Sequence, residues 1–271
     1  MPEYNKSSSP YKVQVLDRAL ALLEVLAQKP GGCGLADVCL HLRLNKSTVH
    51  RLLMVLERHR LVDKNPETGR YRLGLKLFEL GSKAVGALDL QERVRPHMQR
   101  LQRETGETIN FAILDKGEVL YLDKIDSQSY LRITANVGDR CPAYSTARGK
   151  AILASLPGGE AEKVLQSLKL QARTPTTLTS LAAIREELRA TRSRGYAIDD
   201  EENVQGVRCV AAAVRDHRGN PVAALSIAGP AIRLTKNSIP GLALSVMGSA
   251  GAISAELGFK SEEFQEAIAK T

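Results

Sequence analysis

Along the first quarter of the chain, apolar residues recur at the spacing of α-helices. Val15, Leu16, Ala19, Leu20, Leu23 and Leu26 fall on one face and then meet Pro30, Gly31 and Gly32, a strong stop. Leu35, Val38, Cys39 and Leu42 repeat at i, i+3, i+4 and i+7, which predicts a short second helix. Arg43-Leu44 make a tight connection, and Asn45 is placed to cap a third helix whose buried face is Val49, Leu52, Leu53 and Leu56. Leu61-Val62-Asp63 and Arg70-Tyr71-Arg72-Leu73 then flank a Pro/Gly turn and read as two short strands. Three helices followed by a basic hairpin describe a winged helix-turn-helix.

From Gly74 to Gln91, residues Leu75, Leu77, Phe78, Leu80, Val85 and Leu88 keep a helical spacing. Val94, Met98 and Leu101 continue it to Gly106, with Pro96 expected in the first turn of the second piece. This predicts an N-terminal domain over 1–74, a linker helix over 75–91 suited to a dimer seam, and a second domain over 92–271. Beyond Gly106 the period is strand-like. Segments 108–115 and 118–126 flank Lys116-Gly117, a hairpin turn, and 130–137 is expected to be a third strand. Segment 142–156 starts extended and becomes a helix around Gly149 to Leu153. Helices over 160–170 and 180–194, a hairpin pairing 207–215 with 221–229, and a last helix over 238–257 complete the pattern. Antiparallel strands with intervening helices predict an α+β domain, with helices covering one side of the sheet.

The 271 residues are 43% hydrophobic and 25% charged, ordinary values that exclude a disordered, collagenous or coiled-coil chain. There is no run of ~18 apolar residues to make a membrane helix. Residues 1–10 are polar and do not read as a secretory signal, so a soluble cytoplasmic protein is expected. Cysteines at 33, 39, 141 and 209 fit neither paired CxxC clamps nor a disulfide framework and read as reduced thiols.

The formal charge of +8 is uneven, with +5 of it within residues 1–74. Removing the apolar face of the third helix leaves Lys46, Ser47, His50 and Arg51 pointing outward from its first turns, with Thr48 at the boundary. All can donate hydrogen bonds, and the major groove of duplex DNA admits one helix read in this way. Arg70 and Arg72 on the returning wing strand are suited to phosphate or minor-groove contacts. A three-helix interaction module with a charged surface is the alternative for this segment.

Several motifs, in order and at their spacing, carry a family resemblance. They are Lys46-Ser47-Thr48-Val49-His50-Arg51-Leu52-Leu53, Arg70-Tyr71-Arg72-Leu73-Gly74 and Thr146-Ala147-Arg148-Gly149-Lys150-Ala151. Asp199 follows, then Gly206-Val207-Arg208-Cys209-Val210-Ala211-Ala212 and Ser226-Ile227-Ala228-Gly229-Pro230. Over nearly its whole length the chain resembles the IclR family of bacterial transcription regulators. The resemblance implies an N-terminal winged helix on a pseudo-palindromic DNA operator and a C-terminal GAF-like domain that binds a small metabolite, usually an organic acid. It also implies a homodimer or dimer of dimers, a role as repressor or activator, and no required cofactor.

The implied effector pocket is lined by Ala147, Arg148, Gly149 and Lys150, by Asp199, by Cys209, and by the strand from Ser226 to Ala228. Cys209, Ala211 and Ala213 alternate onto one strand face, where small side chains leave room for a ligand. The helix start near Arg148-Gly149 offers backbone donors to a carboxylate. Tyr130 and Ile133 are candidate apolar walls. Two positions depart from the family pattern: Ala228 stands where a second hydroxyl is common, and Ala213 where proline is. Arg148, where relatives are often small or apolar, either clamps a carboxylate through its planar fork or points to solvent.

The competing class is an enzyme or sensor using Cys209 as nucleophile beside Asp199, without DNA regulation. Against it, no HExxH or GxSxG occurs, and Gly149-Lys150 is followed by Ala and lacks the preceding P-loop glycine. A zinc site from Asp199, Cys209 and one more ligand stays open.

Overall fold

The computed structural model describes residues 13–29, 31–86, 90–131, 133 and 135–260. The chain divides into two compact units, Met1–Leu88 and Asp89–Thr271.

In the first unit, α1 (Gln14–Ala27), α2 (Leu35–Leu42) and α3 (Lys46–Arg58) precede a two-stranded wing, β1 (Val62–Lys64) and β2 (Tyr71–Leu73). Leu22, Leu26, Val38, Val49, Leu53 and Val62 are buried together and hold the three helices around one small core. Cys33 and Tyr71 exchange backbone hydrogen bonds of 2.8 and 2.9 Å, which fastens the loop before α2 to the wing. Arg43 ends α2 in the left-handed conformation, φ 53°, and so turns the chain sharply into α3. Asn45 Oδ1 accepts the Thr48 N–H at 2.8 Å, capping α3 as its sequence position predicts. Asn45→Ala is expected to cost the first unit about 1 kcal/mol; denaturant unfolding checks this, and an unchanged midpoint refutes the cap's role. At the wing's base a Cβ on Gly74 would lie 2.2 Å from the Arg60 carbonyl oxygen, so only glycine fits there. Helix α4 (Leu75–Gly86) follows.

The second unit opens with α5 (Leu90–Thr105), then the hairpin β3 (Thr108–Asp115) and β4 (Glu118–Ile125), and a short β5 (Arg140–Pro142). After a 3-10 turn at Ala143–Ser145 come α6 (Ala147–Ser155), α7 (Glu160–Ser167) and α8 (Leu181–Arg194), then β6 (Ala197–Asp200), β7 (Val207–Arg215), β8 (Pro221–Pro230) and α9 (Ile239–Glu256). The sheet is antiparallel in the order β5-β4-β3-β8-β7-β6. Lys116 and Gly117, φ 51° and 83°, make the two-residue turn expected between β3 and β4.

Three expectations are corrected. Helices cover both faces of this sheet, not one. Val94, Met98, Val246 and Ile253 of α5 and α9 pack on one face, while Ala147, Ala151 and Ile152 of α6 pack on the other against Cys209, Ala211 and Ala228. The near-continuous apolar run of β8, from Val222 through Ala228 with only Ser226 polar, reflects burial on two sides. Next, none of the described residues in 130–137 is in a strand: Arg140–Pro142 pairs with Glu118–Leu120 on the outer edge of β4, and Tyr130 projects fully into solvent. Last, Pro96 is the seventh residue of α5 and so lies beyond the first turn. Among the described residues, no helix is long and apolar enough to cross a membrane.

Candidate functional site

Two surfaces carry the chemistry, one in each unit. On α3, Lys46, Ser47, His50 and Arg51 are exposed, Thr48 is half-buried, and Val49, Leu52, Leu53 and Leu56 are buried, as the helical spacing requires. Ser47 Oγ donates to Asn45 Oδ1 at 2.9 Å, so in the free protein its proton belongs to the helix cap. Arg72 is exposed on β2 and Arg70 just before it, and Lys64 lies 5.5 Å from the Tyr71 ring centroid. Arg72 is only loosely held, 3.9 Å from Asp63 with both side chains well exposed, a pairing worth little in water. One helix and one hairpin therefore present exposed donors on Lys46, His50, Arg51 and Arg70, residue types that suit base edges and phosphates.

In the second unit a cavity of about 230 Å³ opens between the α6 face of the sheet and the connections at its rim. Its floor is Asn110, Tyr121, Arg148, Asp199, Cys209 and Ala228, all buried; its rim includes Asp139, Arg140, Arg173 and Val204, all exposed. Strand pairing explains the floor. Asp199 faces Cys209, Cys209 faces Ala228, and Ser226 faces both Ala211 and Asn110, so four strands turn these residues to one side. Ala228 keeps the floor open with its small side chain, while Ala211 and Ala224 pack beneath α6 beside it.

Arg148 dominates it. The residue is 3% exposed, yet its hydrogen-bond partners are neutral hydroxyls: Nη1 donates to Ser226 Oγ at 2.7 Å and Nη2 to Tyr121 Oη. Its guanidinium carbon lies 4.5 Å from the Tyr121 ring centroid, and its Nε has no partner among the described residues. A guanidinium is not deprotonated in such a setting, so the floor carries a buried positive charge with no hydrogen-bonded carboxylate.

Asp199 is the carboxyl in the floor that is electrostatically coupled to Arg148. Burial pushes its carboxyl up to about 6, against the pull of Lys150, the Glu202 and Asn203 N–H groups, and Arg148. Lys150 points away from the cavity, fully buried, to Glu202 at 2.5 Å and Glu187 at 3.7 Å. Burial also pushes the Cys209 thiol up to about 12, which removes the thiolate that a nucleophilic role requires. Among the described residues, no group of three His, Cys, Asp or Glu is placed to hold a metal ion, so Asp199 and Cys209 lack a third ligand.

The expected pocket residues divide. Arg148, Asp199, Cys209, Ala228 and Ile133 line the cavity. Ser226 stands behind Arg148 and acts through it. Ala147 is packed into the apolar cluster under α6. Gly149 is pressed against the preceding turn, where a Cβ would meet the Ala143 oxygen at 2.2 Å, and its N–H is taken by Thr146 Oγ1. This donor at the α6 start is therefore taken by the helix's own cap. Tyr130 is not a wall, because its ring stands in solvent. The arginine's solvent-pointing alternative is overturned by its burial. Asn110, Tyr121, Cys141, Arg140, Arg173 and Asn203 escape the sequence reading; a lone Asn in the apolar run Ile109–Leu114 is the one local signal among them.

Comparison with known proteins agrees with both surfaces. Residues 15–66 match the IclR helix-turn-helix domain, and residues 82–255 match the bacterial transcriptional regulator IclR C-terminal domain. The chain is 36% identical over 247 residues to the HTH-type transcriptional regulator XynR of Escherichia coli, covering 91% of this chain and 98% of the relative. The IclR structure of Thermotoga maritima superposes with a TM-score of 0.79 at 31% identity, over 92% of this chain and 100% of that one. An IclR homologue of Microbacterium hydrocarbonoxydans, solved in complex with 4-hydroxybenzoate, gives 0.79 at 27% identity over 90% and 99%. The relatives are transcription regulators and not enzymes. With a helix-turn-helix and wing in the first unit, a cavity in the second, and a match to both family domains, this chain belongs to the IclR family of DNA-binding transcriptional regulators.

Proposed function

We propose that this chain regulates transcription as a homo-oligomer on a pseudo-palindromic operator, with affinity set by a small organic acid bound at Arg148. The observation that carries the effector half is the buried guanidinium whose hydrogen-bond partners are all neutral, in a cavity open to solvent. A carboxylate is the counter-ion such a fork accepts, and the 4-hydroxybenzoate complex of a relative supports an acid in this class of domain. Lys46, Ser47, Thr48, His50 and Arg51 read base edges while Arg70 and Arg72 hold phosphates. One helix reads too few base pairs alone, so two-fold protein symmetry on inverted half-sites supplies the rest. Effector and operator are coupled by about 1–3 kcal/mol, reciprocally.

The test is operator binding by the purified chain to DNA flanking its own gene, as a salt series with and without a panel of small acids. Specific binding with a steep salt slope, shifted by one acid, is the expected result. Sequence-indifferent binding untouched by every acid refutes the reading.

The elevated Asp199 also sets a pH dependence. An anion seated on Arg148 raises the Asp199 carboxyl further, so binding takes up a proton. Affinity is therefore highest below about 6 and declines as pH rises through that value toward the higher one of the complex, by up to ~10-fold per unit. Calorimetric titration at pH 5.5, 6.5 and 7.5 checks it, and Asp199→Asn flattens the profile. A profile that is flat in the unaltered protein removes Asp199 from the pocket's chemistry.

A further inference from the structure

The cavity holds a second cation that the first does not explain. Three arginines line it, and their surroundings differ. Arg140 is neutralised at the rim, 2.6 Å from Asp115 and 3.6 Å from Glu118. Arg173, also exposed at the rim, has no carboxylate within ion-pair distance among the described residues; its side chain makes one contact, Nε to the Asn203 carbonyl oxygen at 3.3 Å.

Arg173 is nonetheless fixed in place. Thr177 Oγ1 accepts its backbone N–H at 3.0 Å and that of Thr174 at 2.9 Å, and donates to the Glu202 carbonyl at 2.6 Å. Thr176 Oγ1 donates to the Glu201 carbonyl at 2.9 Å. The loop is thus fastened through threonine hydroxyls to the connection after β6. The same connection supplies the Glu202 and Asn203 N–H groups that hold Asp199 in the floor. A rim cation and a floor cation are held on one frame, with a small cavity between them.

We propose that the effector is a dicarboxylate, one end on Arg148 in the floor and the other on Arg173 at the rim. This rests on the anion reading of Arg148 given above. The two positions have different energetics. The floor contact is desolvated and carries most of the affinity, while the rim contact is exposed, screened by salt, and selects two-ended acids over one-ended acids of equal length. At about 230 Å³ the cavity is below the ~300–1,000 Å³ of drug-sized pockets, which favours a short, unbranched acid.

The experiment is calorimetric titration of the full chain with straight-chain mono- and dicarboxylates of four to six carbons, at two salt concentrations, for the unaltered protein, Arg173→Gln and Arg148→Met. The expected result is a dicarboxylate that binds at least ~10-fold tighter than the monocarboxylate of its length. Arg173→Gln and high salt both reduce that advantage, and Arg173→Gln weakens dicarboxylates by more than it weakens monocarboxylates. Equal affinity for the two series, or an advantage that survives Arg173→Gln, overturns the dicarboxylate and leaves the anion site standing. Binding that survives Arg148→Met, or no binding of either series to the unaltered chain, overturns the anion site and this proposal with it.

Discussion

Arg148→Met is expected to leave the ligand-free protein nearly as stable as before and deaf to its effector. The unaltered floor buries a guanidinium against two hydroxyls and an aromatic ring, with Asp199 only electrostatically coupled to it. Burying a charge without a hydrogen-bonded counter-ion is expensive, so removing the guanidinium relieves that cost, while the buried Asp199 carboxyl loses one of the cations that hold it down. The exchange also orphans the Ser226 and Tyr121 hydroxyls, beside a cavity that admits water, so the opposing contributions leave a net change within about 1 kcal/mol. For a unit of this size that moves Tm by no more than roughly 2–4 °C. Effector affinity falls by about 2–5 kcal/mol, more than ~30-fold, because the charged partner of the carboxylate is gone. Thermal unfolding by circular dichroism, with and without the acid, reads both effects at once. Stabilisation of Arg148→Met by the acid to the same extent as the unaltered protein would falsify the clamp.

The second large effect lies on α3. Arg51 is exposed one turn past the cap, on the face opposite Leu53, and pairs with no acidic side chain among the described residues. Its fork matches the two acceptors that guanine shows in the major groove, so Arg51→Ala is expected to cost about 1–3 kcal/mol on the operator and to relax discrimination at one base position in each half-site. Arg72→Ala supplies the contrast. Its loose contact with Asp63 makes its loss nearly free in stability, and a phosphate role predicts weaker binding to every sequence with a salt slope smaller by about 1. Fluorescence anisotropy on the operator and on a scrambled duplex separates the two. If Arg51→Ala weakens both duplexes equally, Arg51 holds backbone and the base-reading role passes to its neighbours.

Much of this molecule is written in local pattern, and the first unit most of all. A Leu/Val face at helical spacing, an Asn at the start of α3, a Pro/Gly turn and a basic returning strand each act within a few residues, and the capped helix and paired wing follow from them. The same holds for the Lys116-Gly117 turn and the long hairpin of β7 and β8. Where local pattern misled, a distant partner decided. Segment 130–137 reads like a strand, but its described residues pair with no strand, and the segment that does pair with the outer edge of β4, at Glu118–Leu120, is Arg140–Pro142.

The effector cavity shows the division most clearly. Sequence alone marks Arg148, Asp199, Cys209 and Ala228 through the family resemblance, with strand alternation adding a local reason for Cys209. It cannot say that Arg148 is buried against Tyr121, which is 27 residues earlier in the chain, or that Ser226, 78 residues later, completes its fork. Nor can it foresee that Gly149 is consumed by packing and that Arg173 arrives at the rim on a loop fastened by threonines. Local propensity and periodicity depend on neighbours a few positions away and are legible in order along the chain. A cavity is the space that distant elements leave between them, and the charge it encloses is decided only when those elements meet.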